Sequence, residues 1–161
     1  MLDTVTEFTP VEDFSNLDTK LQQLLNYWQG KGSEGVLPSR KDIDPIEIPR
    51  LMPHVAMVDI LRDPLDYYYR LSGTHLVEMI GHDRTGRRMR EFFTAPAIEA
   101  AEQILERLLS SRKPLAFEGR LYWIERDYLA FHALILPLAA DGHTVDMAIM
   151  GVHFGPADVP R

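Results

Sequence analysis

The stretch from Tyr67 to Gly86, reading YYYRLSGTHLVEMIGHDRTG, constrains the fold of this chain more than any other. Its first residues are aromatic and apolar, which favours a half-buried strand. Gly73 ends that pattern, and helix-like spacing follows as far as Gly81, since glycine readily closes a helix at positive φ. A DRTG turn comes directly afterwards. Because the backbone changes direction several times within this stretch, we expect it to wrap around one face of a larger structure.

Composition excludes several classes of function. A chain of 161 residues with no cysteine is most simply one domain whose core needs neither disulfides nor thiolate-bound metal. The net charge of -7 and the pI of about 5.3 disfavour binding to nucleic acid. The acidic N-terminal sequence lacks the apolar segment of a secretory signal, and the longest apolar run, 129–140, is shorter than the roughly 20 residues of a membrane span. We therefore expect a cytoplasmic protein that binds neither nucleic acid nor a membrane.

An amphipathic helix is predicted near the N-terminus. Residues 1–14 show no periodicity and are expected to form a poorly ordered tail, so that residues 15–161 make up a single domain. The helix presents one apolar stripe, formed by Leu17, Leu21, Leu24, Leu25 and Trp28. Such a stripe packs either on its own domain or on another subunit. On the second interpretation we predict a homodimer, with an interface formed by Leu17, Leu21, Leu24 and Trp28.

The remaining elements predict an α+β fold. A Gly-rich connector leads into a strap over residues 37–54, where four closely spaced prolines prevent a long helix. A long helix is predicted between the cap Thr94 and Pro114. Five strands are predicted at 55–60, 67–72, 115–123, 128–138 and 145–154. This order favours an antiparallel sheet with helices packed on one face, in addition to the N-terminal amphipathic helix.

Short motifs along the chain resemble those of a known family. They are YW at 27–28, LPSR at 37–40, DIDP at 42–45, YRLSGT at 69–74, TGR at 85–87 and LPL at 136–138. In this order they are similar to PAS domains, and to a bacterial subfamily of mostly single-domain PAS-like proteins, from about Leu17 to Phe154. The resemblance implies a five-stranded antiparallel sheet that encloses a small cavity, and a role in signal perception or partner regulation. It specifies no ligand.

The sequence tests some of the cofactors that PAS-like sensors use. Covalent flavin–cysteine adducts and cysteinyl chromophores are excluded because the chain has no cysteine. Haem-binding members commonly take an axial histidine from the long helix, and residues 95–111 contain none, so haem is not expected, although His75 or His82 can serve in principle. The six histidines lack the spacings of a zinc site, and no metal site is predicted.

Five residues are candidates for binding a ligand in the cavity: Tyr69, Arg70, His75, Trp123 and His132. Arg70 lies in an apolar strand and needs a partner, for which Asp59 in the neighbouring strand is suitable. That pair is either a structural ion pair or an anchor for an anionic ligand. His132 is either a hydrogen-bonded core histidine or a polar group of the cavity.

Two further patterns bear on the site. Because side chains alternate along a strand, Tyr69 and Leu71 are expected on the face opposite to Tyr68 and Arg70. A basic cluster is formed by Arg84, Arg87, Arg88 and Arg90, which is either solvated surface or a binding surface for an anion or an acidic partner.

Three classes of function remain open at this stage. The first is a sensory or regulatory module in bacterial signalling that binds a small organic ligand and passes the signal to a partner protein. The second is a ligand-free adaptor that acts through the N-terminal helix and the outer face of the sheet. An enzyme is the third and is not favoured, because the sequence has no nucleophile motif and no paired carboxylates that would mark a catalytic site.

Overall fold

A computed structural model describes residues 4–123 and 126–155 and has the α+β fold predicted. The strands are β1 (Thr4–Pro10), β2 (Val55–Leu61), β3 (Asp66–Ser72), β4 (Leu115–Trp123), β5 (Arg126–Leu138) and β6 (Met147–Phe154). The helices are α1 (Thr19–Lys31), α2 (Thr74–Ile80) and α3 (Ala95–Ser111). Short 3-10 turns connect several of these elements.

The strands form a single antiparallel sheet of six strands, in the order β1-β4-β5-β6-β2-β3. All five predicted strands are present. The additional strand β1 lies within the segment expected to be a poorly ordered tail, and that expectation is corrected here. Val5 pairs with Leu121 and Thr9 with Glu118. The segment contains four β-branched residues, Thr4, Val5, Thr6 and Thr9, and the edge of β4 supplies backbone partners that short-range sequence patterns do not reveal.

Helices cover both faces of this sheet. We call the face under α2 and α3 the inner face, and the face under α1 the outer face. Each face has its own hydrophobic core. Residues that alternate along one strand divide between them: Phe131, Ala133 and Ile135 of β5 belong to the inner core, and Leu134 and Leu136 belong to the outer core. Both faces of the central strands are therefore buried.

The apolar stripe of α1 packs on the outer face of its own sheet. The four residues proposed as a dimer interface, Leu17, Leu21, Leu24 and Trp28, are exposed by only 0%, 1%, 1% and 8%. The interpretation of this stripe as a subunit interface is therefore corrected, because its side chains are already covered by β5 and β6. The indole Nε1 of Trp28 donates a buried hydrogen bond of 2.9 Å to the carbonyl oxygen of Pro137.

The close approach of α1 depends on a glycine in β6. A Cβ atom at Gly151 would lie 2.7 Å from Leu24 Cδ2 and 2.8 Å from Leu21 Cδ2. The helix begins after Asp18, whose carboxylate accepts a hydrogen bond from the backbone N–H of Lys20 and so caps the first turn. Ser15 lies in the 3-10 turn that precedes the helix.

The proline-rich strap is held by side-chain caps, as its composition requires. Asp42 accepts hydrogen bonds from the backbone and hydroxyl of Ser39. Asp44 caps the next 3-10 turn. The hydroxyl of Tyr27 accepts from the backbone N–H of Asp44 and donates to Glu47. The motifs at 27–28, 37–40 and 42–45 thus fasten the strap to α1 and the sheet.

Candidate functional site

A cavity of about 100 Å³ lies between the inner face of the sheet, α2 and α3. Its walls are mostly apolar, and they include Leu76 and Ile80 of α2 and Leu105 of α3. Four alanines also line the cavity: Ala56, Ala101, Ala133 and Ala148. Protein cores are normally packed without such space, and small side chains that face one another across the core leave a hollow.

Aromatic side chains form much of the remaining wall. Phe8 of β1 lines the cavity, and its ring centroid lies 5.1 Å from that of Phe117 in β4. Phe117 in turn contacts Phe131 of β5, with a centroid distance of 6.0 Å. The edge strand β1 therefore contributes directly to the cavity, although the sequence alone suggested that these residues were a tail.

Polar groups in the cavity are few, and three of them belong to buried side chains. Tyr67, Tyr69 and Arg84 are exposed by only 7%, 5% and 5%. The guanidinium carbon of Arg84 lies 4.3 Å from the ring centroid of Phe92 and 5.4 Å from that of Phe93. Contact of this cation with ring faces is favourable, and more so away from water. A positive charge is thus held at one side of an otherwise apolar hollow.

The hydroxyl of Tyr67 stays protonated in this environment. Burial is the main cause that raises the pKa of Tyr67 well above its ordinary value, and the neighbouring Tyr69 acts in the same direction. The positive charge of Arg84 acts in the opposite direction without reversing the shift. The rings of the two tyrosines pack edge to face at 5.5 Å. A neutral phenol can donate one hydrogen bond, and the side chains of Tyr67 and Tyr69 are hydrogen-bonded to each other, so the two hydroxyls form one polar pair at the cavity.

Local structure explains why Arg84 points inward. Gly81, with φ 95°, closes α2 in the left-handed conformation that its position in the sequence predicted. The chain then returns along the edge of β3 that lies opposite β2. Gly86 N–H donates to the Tyr69 carbonyl, and Tyr69 N–H donates to the Arg87 carbonyl. This pairing fixes the turn against the strand, and Arg84 is buried at its inner side.

The basic cluster is therefore divided among three environments. Arg87 and Arg88 are exposed. Arg90 donates a hydrogen bond of 2.7 Å to Glu102 of α3 and one of 2.8 Å to a backbone carbonyl. Arg84 alone of the four lines the cavity in the described part of the chain. The sequence does not distinguish Arg84 from the other three arginines, because all four lie within seven residues. Only the pairing of the turn with β3 gives them different environments.

Of the five predicted cavity residues, Tyr69 lines the cavity and Arg70 does not. Arg70 is a bulged residue: Met57 pairs with Leu71 and Val58 with Tyr69, so Arg70 has no opposite partner in β2. The extra residue shifts the alternation, so Tyr69 and Leu71 lie on opposite faces, and the expectation that they share a face is wrong. Arg70 instead forms the expected ion pair with Asp59, at 2.5 Å.

The two histidines proposed for the cavity lie elsewhere, and both placements are corrections. His132 is on the outer face, with Nε2 3.0 Å from Glu118 and its ring stacked on His153. Its neighbours in β5 point into the cavity, and strand alternation turns His132 away. His75 packs against His54 with a centroid distance of 4.6 Å, outside the cavity. The side chain of Trp123 lies outside the described part of the structure.

The functional groups of the lining determine which chemistry the cavity can support. Among the described residues that line it there is no carboxylate or imidazole to act as a general base. Within residues 4–123 and 126–155, no group of three histidine, aspartate or glutamate side chains is placed to hold a metal ion. No helix in the same ranges is long and apolar enough to cross a membrane.

Comparison with known proteins agrees with this architecture. A protein-family model described as a PAS domain matches residues 18–153. The chain belongs to the PAS domain family. Its PAS domain spans α1 through β6, and β1 precedes the matched region. A search of curated proteins found no similar sequence. The family is typically sensory.

Proposed function

We propose that this PAS domain is a sensory or regulatory module, without enzymatic activity, that binds a small organic molecule in its inner cavity. The observation that carries this proposal is the combination of apolar walls with the buried polar groups of Tyr67, Tyr69 and Arg84. Ligand pockets are typically apolar with a few placed polar groups, whereas structural cores exclude charge.

The size of the cavity limits the ligand. A volume of about 100 Å³ is smaller than the apolar cavity of about 150 Å³ that accommodates benzene in an engineered protein. A ligand that leaves the walls in place therefore has fewer non-hydrogen atoms than the six of benzene. A larger ligand requires movement of a wall. β1, an edge strand, and α2, a helix of seven residues, are the wall elements that we expect to move.

Output through β1 is the route that we favour. Phe8 contacts the cavity from within an edge strand, so a ligand that displaces this ring acts on the pairing between β1 and β4. A partner protein that recognises this edge would then sense occupancy of the cavity. The partner, the homodimer and the cytoplasmic location are predictions of this proposal.

The alternative, an adaptor that acts through the N-terminal helix and the outer face of the sheet, is less well supported. The apolar stripe of α1 and the outer face cover one another. An adaptor without a ligand would also have no use for a hollow that lowers the packing of its core.

Filling the cavity tests the proposal. Ala101 of α3 lines the cavity, whereas Ala95 of the same helix is exposed. In a thermal-shift screen of small metabolites, confirmed by native mass spectrometry, we expect a ligand at one hundred times its Kd to stabilise the wild-type protein by about 2.7 kcal/mol. Ala101→Leu should abolish this shift, and Ala95→Leu should retain it.

Two results would contradict the proposal. One is a screen in which no compound stabilises the wild-type protein or is retained by it. The other is a stabilising compound whose effect is the same in Ala101→Leu as in the wild type, because such a compound binds outside the cavity.

A further inference from the structure

We infer that the ligand of this cavity is a small monocarboxylate with a compact apolar body, and that Arg84 binds its carboxylate. This inference rests on the proposed function, because it specifies the ligand of the same cavity. It follows from the charges, donors and shape of the walls.

Arg84 supplies the positive charge. Its side chain is 5% exposed and lines the cavity, and its guanidinium lies against the rings of Phe92 and Phe93. A guanidinium has five N–H donors in a fixed plane, more than one acceptor can use. Arg84 can therefore bind a carboxylate of the ligand in addition to its contacts within the protein, and planar carboxylates match its donor geometry.

The other polar groups also favour an acceptor. Tyr67 is protonated and hydrogen-bonded to Tyr69 on the same strand, so this pair of hydroxyls offers one O–H donor to a ligand. No aspartate or glutamate is among the described residues that line the cavity, so nothing in that lining would repel an anion. The protein as a whole is acidic, which makes selection of an anion a property of this site and not of the surface.

The apolar walls and the volume define the rest of the ligand. Alanines, Leu76 and Ile80 offer no partners for hydroxyl or amino groups. Ser72 adds one further hydroxyl to the described lining, so more than one additional polar group on the ligand would be buried without hydrogen bonds. A phosphate ester or a dicarboxylate brings more charge than one guanidinium can balance. A short branched or cyclic chain with one carboxylate satisfies the conditions of charge and polarity, and at six non-hydrogen atoms it requires a small movement of one wall.

Isobutyrate and isobutyramide form a matched pair of probes, because they differ in charge and scarcely in shape. We would titrate each into the wild-type protein, Arg84→Met and Arg87→Met by isothermal calorimetry. Arg87 lies in the same turn and is exposed, so it controls for a general loss of positive charge. We expect the wild type to prefer isobutyrate, Arg84→Met to bind it roughly 10- to 100-fold more weakly, and Arg87→Met to behave like the wild type.

The outcomes separate this inference from the proposed function. Equal affinity for the two probes, or isobutyrate binding that is unchanged in Arg84→Met, overturns the inference while leaving a cavity that binds ligands. Failure of the wild type to bind isobutyrate at millimolar concentration also overturns it, and the metabolite screen then decides the proposed function on its own. If Arg84→Met does not fold, the NMR resonance of the Arg84 Nε–H group in the wild-type protein is measured instead. We expect its chemical shift to change with isobutyrate and not with isobutyramide. An unchanged chemical shift with isobutyrate refutes the inference.

Discussion

Truncation of Leu24 is the sharpest test of how α1 is used. Leu24 is 1% exposed, and its Cδ2 atom lies against the backbone of Gly151 in β6. Core Leu→Ala substitutions cost about 3–5 kcal/mol, because buried contacts are lost and a cavity remains. For a chain of this length each kcal/mol lowers Tm by about 2–4 °C, so Leu24→Ala should lower Tm by roughly 6–20 °C. The expected loss of about 3–5 kcal/mol is a large part of a typical free energy of unfolding, about 5–15 kcal/mol.

Urea denaturation and sedimentation should be measured together on this variant. Gln23 is exposed on the same helix, so Gln23→Ala is the control, with an expected change within about 0.5 kcal/mol. The packing described here predicts reduced stability with no change in oligomeric mass. If Leu24→Ala instead altered the mass of the assembly and left the unfolding midpoint in place, α1 would contact another subunit, and the assignment of its stripe to this sheet would be wrong.

The same contact can be tested from the side of the sheet. A Cβ atom at Gly151 would lie within 2.8 Å of both Leu21 and Leu24, so Gly151→Ala should cost about 1–3 kcal/mol through overpacking. In the Leu24→Ala background the penalty should fall, because one of the two close contacts is removed. Additive effects in this double-mutant cycle would show that α1 and β6 are not in contact.

Three further predictions follow from single contacts. Trp28→Phe should lower the free energy of unfolding in urea by about 1–3 kcal/mol, since it leaves the buried Pro137 carbonyl without its donor. An unchanged free energy of unfolding would show that this hydrogen bond does not stabilise the fold. Arg70→Met should change the same quantity by no more than about 1 kcal/mol, because Arg70 is 60% exposed, and a larger loss would argue for a role beyond its ion pair. Burial, assisted by the charge of His75, lowers the pKa of His54, so the folded state favours its neutral form. The stability that this provides is complete above the ordinary histidine pKa of 6.5 and is lost as pH falls below it. His54→Asn should therefore reduce the decrease in Tm that acid causes. A Tm that varies with pH as in the wild type would contradict this assignment.

The secondary structure followed from local patterns in most of the chain. The strands from β2 to β6, the start of α3 after Thr94 and the left-handed Gly81 were each predicted, because periodicity and turn chemistry act over a few residues. β1 was missed because a strand at the edge depends on the partner strand, and β4 lies more than a hundred residues away in sequence.

The candidate site was less predictable than the fold. Arg70 was proposed for the cavity because it is a charged residue in an apolar strand, and it lies outside the cavity. The expectation that Tyr69 and Leu71 share a face failed because of a single bulge in β3. His132 was proposed as a polar group of the cavity or a core histidine. Which face of β5 lines the cavity depends on where α1 and α3 pack, and a single strand does not specify this. Arg84 was one of four similar arginines, and only the pairing of its turn with Tyr69 buried it.

The amino-acid order by itself determined the class of fold, the positions of nearly all the helices and strands, the family and the exclusion of cysteine-linked cofactors. These properties depend on residue type and short-range spacing. The tertiary structure alone decided that α1 covers the outer face, that β1 forms one edge of the sheet, and that Arg84, Tyr67 and Tyr69 share one small cavity. Those properties depend on contacts between residues far apart in the chain, where a shift of one position in a strand exchanges the buried and exposed faces.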